Sequence, residues 1–321
     1  MGGPIGDEER AALLALLDER PALLGERAGA TAWSTIAAEV ALRGSALALW
    51  HETHPPGPPM LAFDGDAQPA DGRIDIAWRT LTDWQDARDF TVRTVLDGDY
   101  PVALRDIHQM PPVLFVRGEL RPDEVGISIV GSRTATERGR AIAARIAEEL
   151  AARDIAVISG LATGIDAAAH TATLRSGGRP IGVLGTGIRQ VYPAAHRDLH
   201  GQVATAGALV SQFLPDAAPT KRSFPQRNIT MSGLARASII VEAGEHSGTR
   251  VQARAAIEHG RPVILTESVA AHTTWGQALT GRPGVYIAGG TAELLTIVEQ
   301  ILADDDQEAA EVLPTGPADT R

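Results

Sequence analysis

The 321-residue chain is 44% hydrophobic and 21% charged with a formal net charge of −11, which excludes a disordered polymer and a bundle of membrane spans. Aromatic residues make up 4% and cysteine is absent, so Ala, Leu, Val and Ile must fill the core, and disulfides, thiolate metal sites and a cysteine nucleophile are ruled out. The start MGGPIGDEER is acidic, so there is no apolar run behind a positive start, and no stretch approaches ~18 apolar residues; a cytoplasmic protein without membrane contact is expected.

The charge is unevenly spread. Residues 1–100 carry 17 acids and 8 Arg, residues 101–303 carry 17 acids against 19 Arg and Lys221, and residues 304–321 carry 6 acids and one Arg. The middle segment is thus mildly basic, +3, between ends of −9 and −5, and can hold a cationic cleft.

In chain order, residues 7–50 show apolar positions at helical spacing, with Asp7 as a cap and Pro21 and Gly44 as breaks between short helices. The Pro-rich HPPGPPM stretch (Pro55, Pro56, Pro58, Pro59) cannot continue a helix and reads as a linker or bend. A further helix is predicted over residues 83–96. Together these form a small helical N-terminal domain, residues 1–98, with no constellation suited to chemistry. From residue 112 the pattern changes. Short apolar strands in LFVRGEL, ISIV, AVIS, PIGVLG, ALVSQF, ASIIVEA, PVILTE and VYIAG alternate with helices predicted over residues 136–153, 166–175, 197–205, 227–234, 249–259 and 292–302. That alternation indicates an α/β fold, a mostly parallel sheet with helices on both faces, assigned to residues 99–303. Residues 304–321, acidic and short of large apolar side chains, are expected to be disordered.

In such a sheet ligands bind at the carboxyl ends of the strands. Four loops there bear glycine: Gly131-Ser132-Arg133; Gly160 to Gly164, followed by Asp166; Gly185-Thr186-Gly187; and Gly244 with Ser247-Gly248-Thr249. Glycine lets backbone N–H groups close on an anion, and each loop leads toward a helix N-terminus that favours phosphate. Any α/β protein needs glycine in such turns; the joint occurrence with Arg133, Ser247 and Thr249 favours a phosphate-lined pocket. Lys221, Arg222, Phe224, Arg227 and Asn228 form a second cluster that suits a single strand of DNA, cations on phosphates and Phe224 as a stacking face. The same residues equally suit a solvated turn with Phe224 in the core. No G-x-G-x-x-G follows the first strand, and P-loop and G-x-S-x-G motifs are absent, which disfavours an NAD site, a P-loop ATPase and a serine hydrolase; no cofactor is expected. His196 and His200 lack the glutamate of H-E-x-x-H and a third ligand and read as surface histidines, with no metal expected. His170 is expected to pack against its own helix.

The segments IVGSRTATERG, ISGLATGIDAAAHTATL, GVLGTGIRQVYPAAHRDL, FPQRN and IIVEAGEHSGT, in this order behind DGDYPVALRDIHQMPPVLFVRGEL, resemble the DNA-processing protein DprA (Smf) family over about residues 97–267. The resemblance implies an extended Rossmann-like domain that binds single-stranded DNA, forms a homodimer and helps load a RecA-type recombinase onto incoming strands in natural transformation, without catalytic turnover. It implies a DNA-facing pocket at Gly131, Ser132, Arg133, Gly160, Gly164, Asp166, Arg227 and Asn228. Thr163 and Ile229 stand where the family has arginine, and TESVAAHTTWGQAL replaces its P-G and G-x-N segment. A helix-hairpin-helix signature and a basic winged helix are also missing. Each lost cation weakens salt-dependent affinity. Two other readings stay open. One is a nucleotide sensor or a LOG-like nucleotide phosphoribohydrolase, against which Gln252 stands in place of the G-T-x-x-E glutamate. The other is an adaptor that contacts a basic partner through its acidic ends.

Overall fold

A computed structural model describes residues 5–24, 30–55 and 70–312. Helices α1 (Asp7–Leu24), α2 (Ala30–Arg43), α3 (Ala46–Thr53) and α4 (Ala70–Ala87) come first. Residues 11–17 of α1 are buried in succession, because α2, α3 and α4 all pack on it. A helix apolar on every side is stable only when neighbours wrap it. Glu9 ties this layer together by accepting from the Ala46 and Leu47 N–H groups at 2.6 and 3.1 Å, at the start of α3.

The rest of the chain alternates strand and helix: β1 (Thr91–Thr94), α5 (Val102–Arg105), β2 (Val113–Gly118), β3 (Gly126–Val130), α6 (Glu137–Ala151), β4 (Ala156–Ser159), α7 (Ile165–Arg175), β5 (Pro180–Val183), α8 (Arg197–Ala206), β6 (Ala208–Ser211), α9 (Ser223–Leu234), β7 (Ala237–Ile240), α10 (Thr249–Glu258), β8 (Val263–Thr266), α11 (Glu267–His272), α12 (Thr274–Leu279), β9 (Val285–Ala288) and α13 (Thr291–Val312). The strands form one nine-stranded sheet in the order β1-β2-β6-β5-β4-β3-β7-β8-β9. β2 runs antiparallel to both of its neighbours, and the seven strands from β6 to β9 are parallel. This is the expected α/β architecture. Strands β3 to β7 are buried throughout, and alternate residues feed two cores. Ile127, Ile129, Val157 and Ile239 face α6, α7 and α13, while Val130, Ile158 and Ile240 face the core shared with the N-terminal helices. Among the described residues no helix is long and apolar enough to cross a membrane.

Several expectations are corrected. The helix predicted over residues 83–96 ends at Ala87; the chain turns at Arg88, whose φ is +51°, and enters β1. Phe90 is pulled down by edge-on packing with Phe115 (5.6 Å), and the β-branched Thr91, Val92 and Thr94 pair with β2, so the sheet begins ahead of residue 99. α1 continues through Pro21, and α13 extends through residues 304–312, carried by the packing of Leu294, Leu295, Val298 and Ile301 on the sheet rather than halted by the acidic run. Residues 56–59 of the Pro-rich stretch and residues 313–321 lie outside the described residues. His200, read as a surface residue, is 3% exposed, on the buried face of α8.

Three histidines carry the same electrostatic signature. Burial pushes the imidazoles of His170, His200 and His259 down to about 4. Their protons bind more tightly in the unfolded chain, near 6.5, so the stability they confer is complete above that value and is lost as pH falls toward 4. The melting temperature is therefore expected to drop steadily between pH 7 and pH 4.5 in a scan of thermal unfolding. A flat profile across that window would contradict the burial of neutral imidazoles.

Candidate functional site

The strand order reverses between β3 and β7, which opens a crevice at the carboxyl ends of these two strands. Three loops meet there. Ser132 donates its N–H to the Glu242 carbonyl at 2.7 Å and accepts from the Ile165 N–H at 3.2 Å, which joins the loops after β3, β7 and β4. The approach is close enough to need glycine. Gly164 has φ +83°, and a Cβ there would stand 2.2 Å from the Ser132 carbonyl oxygen. Asp166 accepts from the Gly160 and Ala162 N–H groups at 3.1 and 3.4 Å and so pins the second glycine loop. Burial raises the Asp166 carboxyl, against the pull of Arg227.

Arg227 points inward. It is 4% exposed, and its Nη1 donates to the Gly160 and Val183 carbonyls at 2.6 and 2.7 Å. Its Nε donates to Asn228 Oδ1 at 2.9 Å. Burial lowers its pKa, with Asp166 opposing that shift. The guanidinium lies flat on Gly160, where a Cβ would fall 2.0 Å from Nη1. Its visible work is to staple the loops after β4 and β5 together, with one edge open to the crevice.

The crevice has a volume of about 810 Å³. Gly131, Ser132, Arg133, Asp166, Lys221, Phe224, Arg227, Asn228, Ser247, Gly248 and Thr249 all line it. Gly160 and Gly164 lie behind the wall and shape it, and Arg222 is exposed at the start of α9, outside the lining. Arg133 is exposed and its guanidinium sits 4.9 Å over the Phe224 ring. Tyr192 packs tilted against the same Phe224 ring at 5.2 Å and is 43% exposed. The only sign of Tyr192 in the sequence is its place before Pro193 in GVLGTGIRQVYPAAHRDL, and nothing there sets it apart from a packing residue. Also in the lining, Ser247 Oγ accepts from Thr249 Oγ1 at 2.9 Å, and Asn228 Nδ2 donates to the Gly248 carbonyl at 3.2 Å. The charged walls are Arg133, Lys221 and Arg227 against Asp166, with His246 beside them. Among the described residues no cluster of His, Asp or Glu could hold a metal ion. Of the two departures, Thr163 is exposed on the second loop, and Ile229 faces a separate groove beside Met110 and Phe213. Gln252 is fully buried; its amide reaches Ser238 Oγ at 3.1 Å and, with its nitrogen turned the other way, the Asn228 carbonyl at 2.7 Å.

Residues 91–304 match the family profile described as DNA recombination-mediator protein A. The chain is 35% identical over 216 residues to the Protein Smf of Synechocystis sp., covering 66% of this chain and 51% of that protein. It is 40% identical over 167 residues to the Protein Smf of Escherichia coli, covering 51% and 45%. The matched part thus spans about half the length of these relatives. Two solved structures share its fold. The DNA processing protein A of Streptococcus pneumoniae superposes with a TM-score of 0.62 at 23% identity, over 92% of this chain and 98% of that one. That of Helicobacter pylori, described for its single-stranded DNA binding mode, gives 0.58 at 22% identity, over 67% and 97%.

The inward role of Arg227 has a direct consequence. Arg227→Ala leaves two buried carbonyls without donors and is expected to cost about 3 kcal/mol of folding stability, read by urea unfolding. A loss under about 1 kcal/mol would mean that the staple is not formed.

Proposed function

Since the chain belongs to the DNA recombination-mediator protein A family, we propose that it binds single-stranded DNA in the crevice between β3 and β7, as a step of DNA processing in natural transformation. The observation that carries this reading is Arg133 over the Phe224 ring, with the exposed Tyr192 beside it, lining one crevice together with Lys221. Cations meet phosphates, and the exposed Tyr192 ring offers a stacking surface to bases whatever their identity. Binding is therefore tolerant of sequence and steeply dependent on salt. Arg133 and Lys221 are the phosphate contacts. Arg227, Asp166, Gly160 and Gly164 hold the loops in place.

The protein acts without turnover in this reading. The position that would need a carboxylate for nucleotide hydrolysis holds Gln252, whose amide is engaged by buried neighbours. We further propose, on family membership alone, that it works in the cytoplasm as a homodimer and hands the strand to a RecA-type recombinase. The two missing cations, at Thr163 and Ile229, set the affinity below that of a member with arginine at both.

Fluorescence anisotropy of a labelled oligonucleotide at low salt tests the reading. Single strands are expected to bind more tightly than duplex, with affinity falling linearly in log–log form as salt rises. Arg133→Ala is expected to weaken binding and to lower the salt slope by about one. Unchanged affinity removes Arg133 from the site, and the absence of any complex at micromolar protein overturns the proposal.

A further inference from the structure

Tyr192, the exposed ring packed against Phe224, sits in a surface segment between β5 and α8. The upstream half of that segment is tied to the loop after β6. The Gly187 and Arg189 N–H groups donate to the Ala217 and Pro215 carbonyls at 2.9 and 3.0 Å, and the Arg189 guanidinium pairs with Asp89 and Asp216. Two histidines attend the downstream half. His200, buried on α8, faces the Tyr192 backbone. His196 reaches across to another loop, its half-buried ring placing Nδ1 2.8 Å from the Leu161 carbonyl oxygen. A carbonyl only accepts, so Nδ1 carries the proton and donates it. Leu161 is a fixed post. Its φ of +57° is left-handed, a conformation that leucine keeps only where its surroundings over-determine it. The side chain is fully buried in a hollow over Gly182, where a Cβ would stand 2.6 Å from Leu161 Cδ1. Asp166 holds the N–H groups of the residues on both sides, Gly160 and Ala162.

We propose that His196 is a positioning residue for base stacking, a latch that fastens the Tyr192 segment to the Leu161 carbonyl and so holds the Tyr192 ring against Phe224. Gly182 and Asp166 set the post independently of the histidine, so loss of the hydrogen bond frees the Tyr192 segment and leaves the glycine loop in place. The imidazole touches no nucleotide and lends no charge. It acts by removing freedom that Tyr192 would otherwise lose on meeting a base. Where strands are concerned the proposal rests on the function proposed above; the latch itself does not.

The test compares the unaltered protein, His196→Ala, His196→Asn, Tyr192→Ala and the His196→Ala/Tyr192→Ala pair. Two readouts are taken on the full chain: amide hydrogen exchange without DNA, and anisotropy of a labelled oligonucleotide across a salt series. His196→Ala is expected to speed amide exchange in residues 190–196 by about tenfold, while Gly160 and Ala162 exchange as before. It is expected to weaken oligonucleotide binding about fivefold with the salt slope unchanged. In the Tyr192→Ala background the same substitution is expected to change affinity by less than about twofold. The side-chain amide of His196→Asn donates from the place of Nδ1 and is expected to restore both readouts to within about twofold. Should His196→Ala not fold, His196→Leu, which keeps bulk without the donor, takes its place. Unchanged exchange in residues 190–196, equal speeding at Gly160 and Ala162, or no restoration by His196→Asn overturns the proposal. So do losses that simply add to that of Tyr192→Ala, and a salt slope lowered by about one, which would make the imidazole a phosphate contact. Failure of the unaltered protein to bind the oligonucleotide defeats the strand reading instead, and hydrogen exchange still judges the latch.

Discussion

The distance at which the backbone after β4 can pass the backbone after β3 governs the whole rim. Gly164, with φ +83° and no side chain, lies against the Ser132 carbonyl where any Cβ would collide. That contact lets the Ile165 N–H reach the same oxygen at 3.2 Å, and the Ser132 N–H turns to Glu242 at 2.7 Å. Two backbone hydrogen bonds thus join three loops that are far apart in the chain. Arg227 adds a third stitch by donating to Gly160 and Val183. With its backbone fixed in this way, Arg133 loses little further freedom when it lies over Phe224, so a ligand does not have to organise it.

A chain of net charge −11 can still present a cationic crevice, because the acids nearest to it are turned toward backbone donors. Asp166 is buried on the Gly160 loop, Glu242 caps α6, and Glu245 accepts from the Thr274 N–H at 2.9 Å. The Thr274 hydrogen bonds hold the Glu245 carboxyl below its ordinary range. Arg133 and Lys221 have no acidic partner within ion-pairing distance among the described residues.

Much of this was legible in the residues. The eight apolar runs predicted as strands are all strands, since short β-branched runs between glycines have few other ways to bury both faces. The same rule identified the loops that meet at the switch point. Residues 83–96 misled because Trp84 and Val92 fit a helical period, while the decisive contact, Phe90 on Phe115, is with a strand read later in the chain. The acidic tail misled because composition describes solvation and not the leverage of the packed residues 294–301 on α13. Side-chain direction was not legible at all. Arg133 and Arg227 look alike in sequence, yet one is exposed over a ring and the other is buried with its Nη1 on two carbonyls, a difference set by where α9 crosses β4 and β5.

The central claim, that Gly164 places Arg133 by letting the loops close, is tested most directly by a double-mutant cycle on oligonucleotide affinity with Gly164→Ala and Arg133→Ala. If the glycine acts through the arginine, Gly164→Ala weakens binding in the unaltered chain and has little effect once Arg133 is already alanine, a coupling of about 1 kcal/mol or more. Two losses that simply add would show that the loops act independently and would contradict the account.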